Sequence, residues 1–244
     1  MERQGVVTRA GTTERMLVVT SCTARKAVDH EQKLTLDDFM DHERKAAKEE
    51  LLREYRVPAA KMYTGGQHLY VMDGVRRIRE RFGPTAVSMK IISAGYGLVD
   101  ENELICPYEA TFKSLSRLQA RSWARKLQLA ESVRESLTTE RLCFILLGDD
   151  YLTALDPPIR AWPGQRLVFL VKRASFGRVA GPGVTPVAAG LDQTSLGSGL
   201  AALKGKMFQR FAATLASERS ELVDTLQQDP SSATFMAAVE RGHV

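Results

Sequence analysis

Met16-Leu17-Val18-Val19-Thr20 is a short apolar run that ends in the turn Ser21-Cys22-Thr23-Ala24-Arg25-Lys26. A run of apolar and β-branched residues without polar alternation describes a strand buried on both faces, the kind found in parallel sheets. Three further runs have the same character, at residues 87–93, 142–147 and 167–171. Between the first three lie segments with helical apolar spacing. Residues 36–55 carry Phe39, Met40, Ala47, Leu51 and Leu52, and residues 67–82 carry Leu69, Tyr70, Met72, Val75, Ile78 and Phe82. Residues 116–137 carry Leu118, Trp123, Leu127, Ala130, Val133 and Leu137 in a similar stripe. Strands alternating with helices imply right-handed crossovers. The expected fold is therefore α/β, a three-layer α/β/α sandwich with a mainly parallel sheet and a C-terminal helical extension.

After Val171 the pattern changes. Residues 175–199 hold six glycines and two prolines with little apolar period, and they read as a long loop or lid. Helical spacing resumes over residues 200–215 through Leu203, Met207, Phe208, Phe211 and Leu215. The remainder reads as one or two weaker helices interrupted at Asp229-Pro230. The expected organisation is an N-terminal tail (1–15), an α/β domain that is catalytic or binds nucleic acid (16–215), and a C-terminal helical tail (216–244).

The 244 residues are 44% apolar and 26% charged, a globular composition that excludes disorder, collagen and coiled coil for the chain as a whole. No apolar run approaches the ~20 residues of a membrane span, and the first fifteen residues lack the apolar core of a secretory signal. Cys22, Cys106 and Cys143 are spaced for neither a disulfide framework nor a zinc site. These features predict a cytoplasmic, reduced protein with no metal and no other cofactor. The net charge of +5 is modest, but the positive charge is uneven. Residues 117–134 hold Arg117, Arg121, Arg125, Lys126 and Arg134 against Glu131 alone, and residues 160–178 hold five cations and no acid. Solvated faces would explain either block. Two in one chain favour a polyanionic partner.

An open α/β sheet gathers ligands at the carboxyl ends of its strands, so the residues after each run are the candidate site. Ser21 to Lys26 offers free backbone N–H groups and a lysine, suited to an anion. Cys22 is either a nucleophile or a buried structural cysteine. The second run leads into Ser93-Ala94-Gly95-Tyr96-Gly97, where glycines permit close backbone approach beside a flat ring. The carboxylates Asp100, Glu101 and Glu103 follow, then Cys106-Pro107-Tyr108-Glu109. Such a carboxylate can orient water or stabilise a cationic transition state. Gly148-Asp149-Asp150-Tyr151 after the third run is again acidic and aromatic, or else a helix N-cap. Tyr63-Thr64-Gly65-Gly66-Gln67-His68 places a ring and two glycines at a helix start, with His68 read as a surface or helix-face residue.

Taken together, Cys22-Thr23-Ala24-Arg25-Lys26, Tyr63-Thr64-Gly65, Ser93-Ala94-Gly95-Tyr96-Gly97-Leu98 and Ile105-Cys106-Pro107-Tyr108-Glu109 resemble a bacterial family related to the YaaA-like proteins. The Leu-Lys-Gly-x-x-Phe-x-Arg-Phe pattern from Leu203 to Phe211 adds to the likeness, and the first turn is similar to one in the catalytic domain of archaeosine synthase. Thr23 stands where serine is usual, Cys106 lies inside the Ile-x-Pro motif, and Glu109 stands where aspartate is common.

The resemblance implies an α/β fold that handles nucleic acid or its bases, and some of its members are antiphage DNA glycosylases. The expected activity is accordingly hydrolysis of the N-glycosidic bond of a modified base in phage DNA. The alternatives are a DNA-binding protein without chemistry and a tRNA base-modifying transferase. For the glycosylase, the catalytic candidates are Asp100, then Glu103, then Glu109, with Lys26 as donor to the departing base. Ser21, Cys22, Tyr63, Tyr96, Gly97, Tyr108 and Asp150 are the base-pocket candidates. Arg173, Lys204, Lys206 and Arg210 are the candidates for gripping phosphates.

Overall fold

The computed structural model describes residues 15–218, 221–229 and 231–242. Its central sheet has six strands: β1 (Met16–Ser21), β2 (Val87–Ser93), β3 (Gly97–Asp100), β4 (Leu142–Leu146), β5 (Arg166–Val171) and β6 (Val184–Ala188). Their order across the sheet is β6-β5-β4-β1-β2-β3, and neighbours are parallel except for β2 and β3. The unbroken apolar character of β1 and β4 matches their complete burial.

The chain leaves β1 through α1 (Leu36–Met40), α2 (His42–Leu51) and α3 (Gly66–Phe82) before entering β2. After the β2–β3 hairpin come α4 (Arg117–Lys126) and α5 (Leu129–Ser136), then β4, then α6 (Asp149–Leu155). Beyond β6 the helical extension comprises α7 (Leu203–Glu218), α8 (Glu221–Gln228) and α9 (Ser232–Arg241). Phe144 of β4 meets Phe208 and Phe211 of α7 and Phe235 of α9, with ring centroids 4.9–6.0 Å apart. Each such aromatic contact adds roughly 0.5–1.5 kcal/mol beyond its buried area. The extension is thus part of the core, and the helix at its start runs beyond residue 215. Gly74 of α3 lies against the Phe208 ring, and Gly205 of α7 lies against the backbone of Gln67. The two helices meet so closely there that neither position has room for a β-carbon.

Several expected elements differ. The helix over residues 36–55 is broken at Asp41, whose carboxylate accepts the Arg44 backbone N–H at 3.0 Å and starts α2 afresh. Ala47, Leu51 and Met40 are consequently exposed, and only Phe39 and Leu52 of that stripe are buried. The helix over residues 116–137 is likewise two helices, because Gln128 takes a left-handed φ of 50°. The loop or lid expected over residues 175–199 contains β6, a parallel edge strand on β5. Its half-buried alternation, with Thr185 and Val187 inward, hides it from a search for apolar runs. Pro186 is tolerated because an edge strand leaves one side unpaired. The N-terminal tail lies outside the described residues except for Arg15, as does Pro230. Among the described residues no helix is long and apolar enough to cross a membrane.

Candidate functional site

The chain moves from β1 to β2 on one side and returns to β4 on the other, so the order of the sheet reverses between β1 and β4. Open α/β sheets place their ligand crevice at such a reversal, beyond the carboxyl ends of the strands. Gln67, at the start of α3, spans it: its side-chain amide donates to the Thr20 hydroxyl and to the Leu146 carbonyl, each at 3.1 Å. The Cys22 thiol and the Tyr151 hydroxyl, 2.8 Å apart, bridge the same two strand ends. Thr23 accepts the Gly65 N–H at 3.2 Å, so the turn after β1 is tied to the beginning of α3. Ser21, Ala94 and Gly148 stand along this one edge of the sheet, as the parallel registers of β1 with β2 and β4 require.

A buried chain of hydroxyls lies on the β2 side. Ser93 donates to the Tyr108 hydroxyl, which is also 2.8 Å from the Tyr63 hydroxyl. Burial pushes the phenols of Tyr63, Tyr108, Tyr96 and Tyr151 above their ordinary value, so they stay protonated. The Lys26 ammonium lies 4.5 Å from the centroid of the Tyr108 ring. Burial lowers the Lys26 pKa, against the opposing pull of Cys22 and Glu109. His68 is fully buried rather than on the surface, with Nε2 at 2.8 Å from the Ala60 carbonyl oxygen. Its pKa is lowered by burial, so the ring is neutral and Nε2 is the donor.

On the β4 side, a cavity of about 320 Å³ opens beside the crevice. Phe112, which packs edge-on to Tyr151 at 5.4 Å, backs its wall but is 1% exposed and presents no free ring face. Asp149, Asp150, Ser175, Arg117 and Arg178 supply its charged and polar lining. Burial alone would raise the Asp149 carboxyl. The Lys172 ammonium at 2.8 Å and the Ser175 hydroxyl at 3.3 Å outweigh that and hold it below the ordinary carboxylate value. Asp149 is therefore ionised at neutral pH. Among the described residues no three His, Cys, Asp or Glu side chains gather as a metal-ligand set.

The expected catalytic carboxylates do not meet here. β3 runs antiparallel to β2, so each residue after Gly97 steps back from the ligand edge, and Asp100 pairs with Lys90 at 2.9 Å. Glu103 lies in the turn after Asp100 and accepts its backbone N–H at 3.3 Å. Glu109 is exposed and paired with Lys33 at 3.2 Å, though near enough to influence Lys26. Tyr63 and Tyr108 have no free face, because each is 1% exposed. Tyr96 packs edge-on to Phe39 and accepts the Cys106 N–H at 3.2 Å, so it too is structural. Gly97 has a φ of +78° and closes the hairpin rather than approaching a ligand. Ser21, Cys22 and Asp150 do lie at the strand ends. Of the cations expected to grip phosphate, Arg173 follows β5 and Lys204 comes within electrostatic reach of Asp149 and Lys172. Lys206 instead lies over the Tyr70 ring at 4.9 Å, and Arg210 donates to the Gly242 carbonyl at 2.6 Å, so the four do not form one track.

Gln67, Phe112, Arg117 and Ser175 enter the site without having been singled out for it. Phe112 had no visible signal, since it follows a loop with no period, whereas Asp149 was in view in the turn after β4.

This crevice, with its charged side cavity, stands in an α/β chain whose residues 46–177 match the family of unknown function DUF6884. The chain belongs to that family. Neither the curated proteins nor the solved structures compared with it give a match.

Proposed function

We propose that the protein is a DNA glycosylase that hydrolyses the N-glycosidic bond of a modified base, acting in the cytoplasm on invading phage DNA and leaving an abasic site. The observation that carries the reading is the cavity beside the crevice. It joins an ionised carboxylate, Asp149, to two arginines, Arg117 and Arg178. A base extruded from the stack needs a pocket to enter, and its flanking phosphates need cations. As the glycosidic bond breaks, the sugar becomes oxocarbenium-like, and a carboxylate beneath C1′ stabilises it and orients the attacking water. Asp149 takes that role in place of Asp100. The departing base gathers negative charge, and Lys26, half-buried and in no ion pair among the described residues, is the cation on the β1 side of the crevice.

The test is the appearance of alkali-labile sites in hypermodified phage DNA, with mass spectrometry of the released base. Asp149→Asn should lower the rate on the order of 10²-fold or more while DNA affinity is retained. Asp100→Asn should leave the rate within about twofold, since its partner is Lys90. An Asp149→Asn protein as fast as wild type removes Asp149 from the chemistry. A wild type that releases no base from any modified genome or tRNA leaves DNA binding without chemistry as the reading.

A further inference from the structure

β2 is expected to be buried on both faces, yet Ser88 and Lys90 are only half-buried. Both point toward α5, which does not close against them. A cavity of about 370 Å³ remains between helix and sheet, with Leu17 and Leu98 as its apolar lining. Leu17 and Ser88 are the second residues of their strands and Leu98 pairs with Ile92, so this cavity runs along the face of the sheet beneath α5 and shares no lining residue with the cavity beside the crevice.

Glu140 lines the cavity and is 6% exposed. Its Oε1 accepts the Thr139 hydroxyl at 3.3 Å, while Oε2 is buried with no hydrogen-bond partner. No lysine or arginine among the described residues pairs with Glu140. Lys90 shares the cavity, but its charge is taken up by Asp100 at 2.9 Å. A second carboxylate, Glu135, stands exposed at the rim and is likewise in no ion pair among the described residues. A buried carboxylate oxygen lacking a donor is costly, and a cation with N–H groups relieves the cost.

We propose that this cavity binds a short aliphatic diamine, one ammonium pairing with the Glu140 carboxylate, the carbon chain lying on Leu98, and the second ammonium reaching Glu135. The hydroxyls of Ser88, Ser132 and Thr139 accept the remaining N–H groups. A monovalent metal ion would leave the apolar lining unused, and an anion would face two carboxylates. The inference is independent of the glycosylase reading, since it concerns other residues and no DNA.

The test is calorimetric titration of the full chain with putrescine, at an ionic strength held constant with sodium chloride. Wild type should bind saturably with a stoichiometry of one. Glu140→Gln should weaken binding at least tenfold. Ser132→Leu, a half-buried helix position whose larger side chain fills the cavity, should do the same while Glu140 is retained. Circular dichroism melting checks that each variant is folded, and Ser132→Leu decides the matter alone if Glu140→Gln is not. Absence of saturable binding by wild type, or unchanged affinity in the folded variants, overturns the proposal.

Discussion

Gly205→Ala sets two physical effects against each other. Alanine is favoured over glycine in a helix interior by roughly 1 kcal/mol, and Gly205 lies inside the 16-residue α7. On propensity alone the substitution stabilises. The structure reverses the sign. A β-carbon at this position would stand 2.9 Å from the Cα of Gln67 and 3.0 Å from its carbonyl carbon, where ordinary contact begins at 3.4 Å. These are backbone atoms in the first turn of α3, with no rotamer through which to escape. Gln67 is also held from the other side by its hydrogen bonds to Thr20 and Leu146. The strain must be relieved by moving α7, which loosens the contact of Phe208 with Gly74. Overpacking of a closed contact costs roughly 1–3 kcal/mol, and a backbone obstacle belongs at the upper end. After the helix-propensity gain the net loss is about 2 kcal/mol, or roughly 4–8 °C in Tm for a domain of this size. Gly177→Ala is the control, because that glycine is helical, has an ordinary φ and has nothing within 4 Å of its β-carbon position. It should be neutral or stabilising by up to roughly 1 kcal/mol. Urea unfolding and thermal melts of both variants give the comparison. A Gly205→Ala protein as stable as wild type would refute the close approach of α3 and α7.

Gln67→Leu keeps the volume but leaves the Leu146 carbonyl and the Thr20 hydroxyl without their donor, and it should cost about 2–3 kcal/mol in urea unfolding; a loss below about 0.5 kcal/mol would show that the crevice does not depend on this bridge. The Asp38 carboxyl, 5% exposed, is held at about 2 against burial by the Lys48 ammonium and by the Thr35 N–H and hydroxyl. Its folded pKa is depressed, so its contribution of about 2 kcal/mol is present above pH 3.8 and is lost as the pH falls toward 2. Asp38→Asn should flatten the stability–pH curve across that interval, measured by urea midpoints at successive pH values, and an unchanged slope would remove Asp38 from the acid response.

The same distinction between what a residue is and where its strand carries it explains which parts of the site were legible. β1, β2, β4 and β5 announced themselves because burial on both faces, or nearly so, demands apolar runs, and the parallel order followed from the helices between them. β6 did not, because an edge strand needs only alternate apolar residues and tolerates Pro186. The aromatic cluster was legible as composition but not as role. Ser93, Tyr63 and Tyr108 are far apart in sequence, and only folding brings their hydroxyls together and closes the rings off from a ligand. The carboxylates show the point most sharply. Asp149 and Asp100 each come after an apolar run, and the rule that ligands gather at carboxyl ends pointed to both. β4 is parallel to its neighbours, so the residue after it stays at the ligand edge. β3 turns back at Gly97, and three residues at about 3.3 Å each return Asp100 roughly 10 Å toward the opposite edge. A hairpin and a crossover both begin with a glycine-bearing turn, and what separates them is the next few residues. Here only Leu98, Val99 and Asp100 follow before the chain turns again, too few for a crossover, and Asp100 is placed to meet the one cation of β2, Lys90. A carboxylate two positions after a Tyr-Gly-Leu turn is thus explained by a lysine one strand away before any chemistry is asked of it. The cavity beside Glu140 follows from the same lysine, because β2 had to keep one face polar to provide it.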